Sequence, residues 1–211
     1  MPTPGKYIII EGADGTGKST QAERLVAYLN SQGIKTVLTQ EPGGVPIAEE
    51  LRTIIKNGTL ERDSWTNVML FTTARRTSWL QSIKPALDAG TWVVASRNYL
   101  STIAYQGYGE GVDIQKIVDF TRDNVDEGYL NPDKIIVLTL SDETARRARL
   151  GERSAHDQHH DTFESMPDDF QARMQHGYED YATKHGLDVV NASQDISSIA
   201  DDINKIITQL L

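Results

Sequence analysis

Gly12-Ala13-Asp14-Gly15-Thr16-Gly17-Lys18-Ser19 fills the pattern G-x-x-x-x-G-K-[ST], and it stands between the apolar run Tyr7-Ile8-Ile9-Ile10 and a segment compatible with a helix. Strand, glycine-rich loop and helix in that order form the context the pattern needs to act on phosphate. Glycines let the backbone close around a phosphate with several N–H groups turned inward. Lys18 adds a mobile positive charge, and Ser19 offers its hydroxyl to Mg²⁺. The helix opening at Gly17 adds the positive end of its dipole. The stretch from Gly12 to Thr20 therefore predicts a nucleoside triphosphate as ligand, with Mg²⁺ as its metal.

Outward from this loop, a strand is expected at about 6–11 and a helix at about 17–32, with Ala22, Leu25 and Leu29 on one face and Gly33 as its stop. Lys35-Thr36-Val37-Leu38-Thr39 reads as a second strand. Pro42-Gly43-Gly44 breaks the chain before a helix at about 46–57 that carries Leu51, Ile54 and Ile55. Helical periodicity runs from Trp65 to Ala89, with Pro85 expected to kink it and Gly90 to stop it. Trp92-Val93-Val94-Ala95 and Lys134-Ile135-Ile136-Val137-Leu138 are continuous apolar runs, as strands covered on both faces should be. Leu187-Asp188-Val189-Val190 makes a fifth strand. Ile196, Ile199, Ile203, Ile206, Ile207 and Leu210 form one stripe on a last helix. The whole predicts an α/β P-loop NTPase fold, a five-stranded parallel sheet surrounded by helices, with ligands at the carboxyl ends of the strands.

The chain has 211 residues, 38% of them hydrophobic, enough to bury a sizeable core as a single domain spanning 1–211. No linker, repeat, membrane-length apolar run or signal-peptide layout interrupts it, so it reads as a soluble cytoplasmic protein. Without cysteine there is no disulfide, thiolate nucleophile or cysteine zinc site. A net charge of −9 argues against a nucleic-acid polymer as partner, and anionic ligands must meet local basic groups instead.

Three further stretches join the phosphate loop: Thr39-Gln40-Glu41-Pro42-Gly43-Gly44, Phe71-Thr72-Thr73-Ala74-Arg75, and Ser96-Arg97-Asn98-Tyr99-Leu100-Ser101-Thr102-Ile103-Ala104-Tyr105-Gln106-Gly107. Together they resemble the thymidylate kinase family, in order and over nearly the whole chain, from Glu11-Gly12 to Asn191-Ala192-Ser193-Gln194. The resemblance implies a nucleoside monophosphate kinase domain that pairs as a homodimer and phosphorylates dTMP to dTDP with ATP. Phe71 and Arg75, four apart, share a helix face, where a ring and a guanidinium could stack on a base and donate to its carbonyl oxygen. Arg97 at a strand end is placed to grip an anion. By resemblance, Arg52, Arg97 and Pro42 surround the acceptor phosphate, Ser101, Thr102 and Gln106 belong to the dTMP pocket, and Tyr105 screens against a ribose 2′-hydroxyl. Asp14 would meet the acceptor 3′-hydroxyl or approach Mg²⁺ through water.

Arg146, Arg149 and Arg153 fall at i, i+3 and i+7, one helical face, with Arg147 beside them. Some family members carry an arginine in the phosphate loop, where this chain has Gly15. The resemblance to the bacterial type with an arginine-rich lid then assigns the catalytic cation to a mobile lid at about 146–164, with Arg149 and Arg153 joining Lys18 and Arg97 as catalytic residues. Asp161-Thr162-Phe163-Glu164 resembles the family's Asp-Arg-x-Glu, which puts Asp161 near the acceptor sugar and Glu164, with Ser19 and Asp14, near Mg²⁺. His156, His159 and His160 read as a polar exposed loop rather than a metal cluster.

Three positions depart from the family pattern. Ser96 stands where an aspartate is usual, Gln40 where an arginine is usual and Thr162 where an arginine is usual. Loss of an acid and a base together would keep the local charge balanced. The departures leave two alternatives: a kinase of another deoxynucleoside monophosphate, or a non-catalytic nucleotide-binding relative. Val68, Met69 and Leu80 on the long helix suit either a core or a dimer face.

Overall fold

Strands β1 (Tyr7–Gly12), β2 (Thr36–Gln40), β3 (Trp92–Ser96), β4 (Lys134–Thr139) and β5 (Asp188–Asn191) form one parallel sheet in the order β2-β3-β1-β4-β5. The structure is a computed structural model, and it describes residues 3–140, 144, 146, 149, 162, 163 and 166–211. Side chains alternate along each strand, so the apolar runs serve two cores at once. Tyr7, Ile9, Val93, Ala95, Ile135 and Val137 face one side, while Ile8, Ile10, Val94, Ile136 and Leu138 face the other.

The second side is covered by α1 (Lys18–Ser31), which lays down Ala22, Leu25 and Leu29, and by the last helix with Ile199, Ile203 and Ile207. Each fully buried aliphatic side chain contributes roughly 1.5–3 kcal/mol relative to exposure. Truncation of Ile10 to alanine, at a site closed to solvent, would cost about 2–5 kcal/mol. The first side carries α2 (Pro46–Lys56), α3 (Ser64–Ser78), α4 (Lys84–Asp88), α5 (Tyr99–Thr102), α6 (Ile114–Asn124), α7 (Glu127–Leu130) and α8 (Asp168–His185). The last helix is α9 (Ile196–Ile207), with Asp195 at its N-cap accepting from the Ser197 and Ser198 amides.

The long helical stretch breaks slightly earlier than Pro85. Between α3 and α4 the backbone widens into a π turn at Trp79–Ile83. Proline lacks an N–H and its ring crowds the carbonyl four residues back, and the wider turn opens the ladder just upstream of it. On this helix Val68 is closed off in the core, whereas Met69 and Leu80 remain exposed. No described helix is long and apolar enough to cross a membrane.

Candidate active site

The phosphate loop leaves β1 at Gly12, where φ is 139° and an added Cβ would lie 2.3 Å from the Leu138 carbonyl oxygen, so only glycine fits. Gly15 and Gly17 also hold positive φ, at 85° and 89°. Lys18 is tucked into the loop, its Nζ donating to the Ala13 carbonyl at 2.7 Å and lying 3.8 Å from Asp14 Oδ1. Ser19 and Thr20 open α1 on the solvent side. Here begins a cleft of about 1080 Å³ that runs past the carboxyl ends of β1, β2 and β3. A single drug-sized ligand fills roughly 300–1,000 Å³, so there is room for a donor and an acceptor together.

Arg97 stands between the two halves. It follows β3 with φ 75°, a left-handed conformation unusual for a residue with a Cβ. This bend turns its side chain back over the loop. Nη2 bonds Asp14, and Nη1 donates to Ser101 Oγ at 2.9 Å and to the Tyr178 hydroxyl at 3.2 Å. Tyr105 donates to the other Asp14 oxygen at 2.7 Å. Burial pushes the Asp14 carboxyl up, but Arg97, Lys18 and the Tyr105 hydroxyl together hold it well below the usual carboxylate range. Beneath them Glu11 accepts from the Asn98 amide at 2.7 Å and the Ser101 amide at 3.0 Å, which pins the turn after β3.

Two of the expected acceptor contacts lie behind the cleft wall. Arg75 is 2% exposed and spends its guanidinium on Glu41 (Nε, 3.1 Å) and the Asn98 carbonyl (Nη2, 3.0 Å), with its Cζ 5.4 Å from the Phe71 ring centre. Nη1 has no partner among the described residues. Thr102 is likewise buried, with no partner for its hydroxyl among the described residues. Glu41 also accepts from the Tyr129 hydroxyl at 2.6 Å. Burial pushes its carboxyl up to about 7 even though Arg75 and Tyr129 pull it down.

Asp14, Gly15, Thr16, Gly17, Lys18, Ser19 and Thr20 line the cleft from one end, and Pro42, Arg52, Phe71, Arg97, Ser101, Tyr105 and Gln106 line the other. Arg52 donates to the Pro42 carbonyl at 2.8 Å. Gly12 and Ala13 support the loop from below and are not in the lining. Arg149 lines the donor end and donates to the Ala192 carbonyl at 3.2 Å. Arg153, Asp161 and Glu164 lie outside the described residues, as do Arg147 and the histidines at 156, 159 and 160.

Sequence reasoning passed over several groups that the fold brings to the site. Arg146, which the sequence marks only by its helical spacing, is buried and donates to the Asp14 carbonyl at 3.2 Å. Phe163 forms part of the acceptor wall, with its ring 6.1 Å from Phe71 and 5.5 Å from Tyr105. Glu11 and Tyr178 organise Ser101 and Arg97. A buried glutamate at the end of an apolar strand was the available signal for Glu11, because a carboxylate closed to water needs donors. Nothing in a linear reading marks Tyr178, which arrives from α8.

For Mg²⁺, the oxygens at hand are the hydroxyls of Ser19 and Ser96, both in the lining. Among the described residues no three His, Asp or Glu side chains form a metal cluster. Both Asp14 oxygens are occupied by Arg97 and Tyr105. Hard hydroxyl donors beside a phosphate loop fit a cation that keeps several waters and binds through substrate phosphates.

The thymidylate kinase family model matches residues 10–203. A thymidylate kinase from Ruegeria pomeroyi is 34% identical over 98% of this chain and 96% of its own length. One from Symbiobacterium thermophilum is 33% identical over 97% of this chain and 94% of that protein. The crystal structure of thymidylate kinase from Ehrlichia chaffeensis superposes with a TM-score of 0.76 at 29% identity, covering 97% of this chain and 99% of that one. A match of this extent, on a cleft that joins a phosphate loop to an aromatic slot, places the chain in the thymidylate kinase family, the enzymes that phosphorylate dTMP.

Proposed function

We propose that the cleft holds ATP on the loop from Gly12 to Thr20 and dTMP in the slot beyond Arg97, with the lid arginines closing over the phosphates. The observation that carries this reading is the position of Arg97, which touches both the loop, at Asp14, and the slot, at Ser101 and Tyr105. A cation at that junction is suited to hold the acceptor phosphate in line with the γ-phosphate. An oxygen of the dTMP phosphate attacks the γ-phosphorus, the bond to the β-phosphate oxygen breaks, and ADP leaves. The attacking group is already an anion, so no general base is required.

Lys18 exchanges the Ala13 carbonyl for phosphate oxygens and, with Arg149 and Arg153, offsets charge spreading over the transferred group. Mg²⁺ would be held through Ser19 and the donor phosphates, with Ser96, Asp14 and Glu164 nearby. When bound, it neutralises phosphate charge. Phe71 supplies a plane for the base, Gln106 an amide from the lining and Arg75 a donor from behind. Tyr105 and Asp14 face the sugar together with Asp161, and Arg52 completes the phosphate grip. Exposed Ile47, Ile54, Met69 and Leu80 on α2, α3 and the π turn support a homodimer, for which sedimentation of the purified protein is the check. A cytoplasmic setting belongs to the same reading.

ADP release measured with Mg²⁺-ATP and each of the thymidine, deoxyuridine, deoxycytidine, deoxyguanosine and deoxyadenosine monophosphates is the test. Selective turnover of dTMP is expected. Preference for another acceptor would overturn the substrate assignment. Silence with all of them, alongside ATP binding, would overturn catalysis.

A further inference from the structure

Gln171, in the first turn of α8, is buried and commits the two ends of one amide in two directions. Its Nε2 donates to the Phe163 carbonyl at 2.8 Å. Its Oε1 accepts from Arg146 Nη2 at 3.4 Å. Each partner belongs to a different half of the cleft. Arg146 reaches the phosphate loop, donating through Nη1 to the Asp14 carbonyl at 3.2 Å, and the Asp14 side chain in turn meets Arg97 and Tyr105. Phe163 sets its ring against Phe71 and Tyr105, the aromatic walls of the acceptor slot.

A primary amide has one donor end and one acceptor end. A guanidinium can only donate and a carbonyl can only accept, so these two neighbours fix the amide in a single orientation. Glutamine meets both demands. Glutamate meets only the first, and an apolar side chain of similar length meets neither.

We propose that Gln171 is a positioning residue that ties the acceptor slot to the phosphate loop, holding Phe163 against Phe71 with one end of its amide and Arg146 against Asp14 with the other. The inference rests on the acceptor reading above. It assigns Gln171 no contact with substrate. Its effect passes through the two groups it holds, which is why the two ends of the amide should be separable.

The experiment compares Gln171→Glu and Gln171→Met with wild type by steady-state kinetics in dTMP and ATP and by thermal unfolding. Gln171→Glu keeps an acceptor for Arg146 but sets a carboxylate oxygen against the Phe163 carbonyl. The KM for dTMP should rise roughly tenfold with kcat within about twofold. Gln171→Met releases both partners, and kcat should then fall by about tenfold in addition. Equal losses of kcat in the two variants, or a lower Tm with KM and kcat unchanged, would overturn the proposal. A wild-type enzyme inert toward dTMP would overturn the acceptor reading instead. The same two variants, read against whichever monophosphate is accepted, would then test Gln171 alone.

Discussion

Asp14 and Glu41 stand beyond the carboxyl ends of neighbouring parts of the sheet, each with an arginine against it and a tyrosine hydroxyl donating to it, yet they hold their protons in opposite ways. Asp14, beside Arg97 and Tyr105, is drawn well below the usual carboxylate range although burial works against it. Glu41, beside Arg75 and Tyr129, is pushed up to about 7 by burial. The difference lies in what else surrounds each pair. Lys18 gives Asp14 a second cation, and the cleft leaves its side chain 20% exposed. Among the described residues Glu41 has one cation against it and no partner for its Oε1, and the Glu41 and Arg75 side chains are each only 2% exposed. An arginine at hydrogen-bond distance does not by itself settle whether a carboxyl is ionised. The balance of desolvation against all nearby charge does.

The largest expected effect comes from removing the second cation. Lys18→Met should lower kcat by about a thousandfold, the magnitude expected when a cation that stabilises the transferred phosphoryl group is lost. ADP release measures it. A loss under tenfold would show that the lid cations can stand in for Lys18.

Next come the two arginines, which should separate stability from activity. Above pH 7, where the Glu41 carboxyl is ionised, Arg75→Met leaves it buried without its counter-ion and should cost about 3 kcal/mol in urea unfolding. Adding Glu41→Gln to it should recover most of that loss. Arg97→Met, on the cleft, should cost less than Arg75→Met, about 1–2 kcal/mol of stability, while kcat/KM for the acceptor falls by about a hundredfold. Similar stability losses for the two would erase the contrast between the pairs.

The raised carboxyl also has a pH consequence. Between the ordinary glutamate value of 4.5 and about 7, the folded protein keeps a proton on Glu41 that the unfolded chain has lost. Stability from this group is therefore complete below that window and declines as pH rises through it, by roughly 3 kcal/mol. Glu41→Gln should flatten that part of the stability profile. An unchanged slope would mean that Glu41 is ionised throughout the window. Asp14 contributes no slope there, because its carboxyl is ionised in both states above about pH 5.

The strands and the phosphate loop were legible in the sequence because both obey local rules: two-faced burial demands an unbroken apolar run, and positive φ demands glycine at positions such as Gly12. The sequence does not resolve the region from Tyr99 to Leu130 or helix α8 into elements. In the first, closely spaced Gly107, Gly109 and Gly111 obscure a helix that passes into a π segment. In the second, Phe170, Met174, Tyr178 and Tyr181 form a helical stripe diluted by charged neighbours. Asp14, Phe71 and Arg97 announced themselves by motif. Tyr178, Arg146 and Phe163 did not, because their place in the site depends on long-range packing that no short window encodes.

The smallest expected effect concerns the two neutral residues where the family resemblance leads one to expect charges. Ser96 and Gln40 are register partners on β3 and β2, and both line the cleft. Opposed positions on adjacent strands interact, and opposite charges there offset one another. Ser96 is nearly closed to solvent and lines the cleft, so Ser96→Asp alone would add a carboxylate there without its own counter-ion. It should lower kcat/KM by about tenfold. Gln40→Arg alone adds an unmatched cation and should have a smaller cost. In the double variant each new charge answers the other, so kcat/KM should return toward wild type, with a coupling of about 1 kcal/mol or more. Were the two changes simply additive, Ser96 and Gln40 would be independent departures rather than a matched neutral pair. The Asp14–Arg97 unit would then carry the charge balance of the acceptor end by itself.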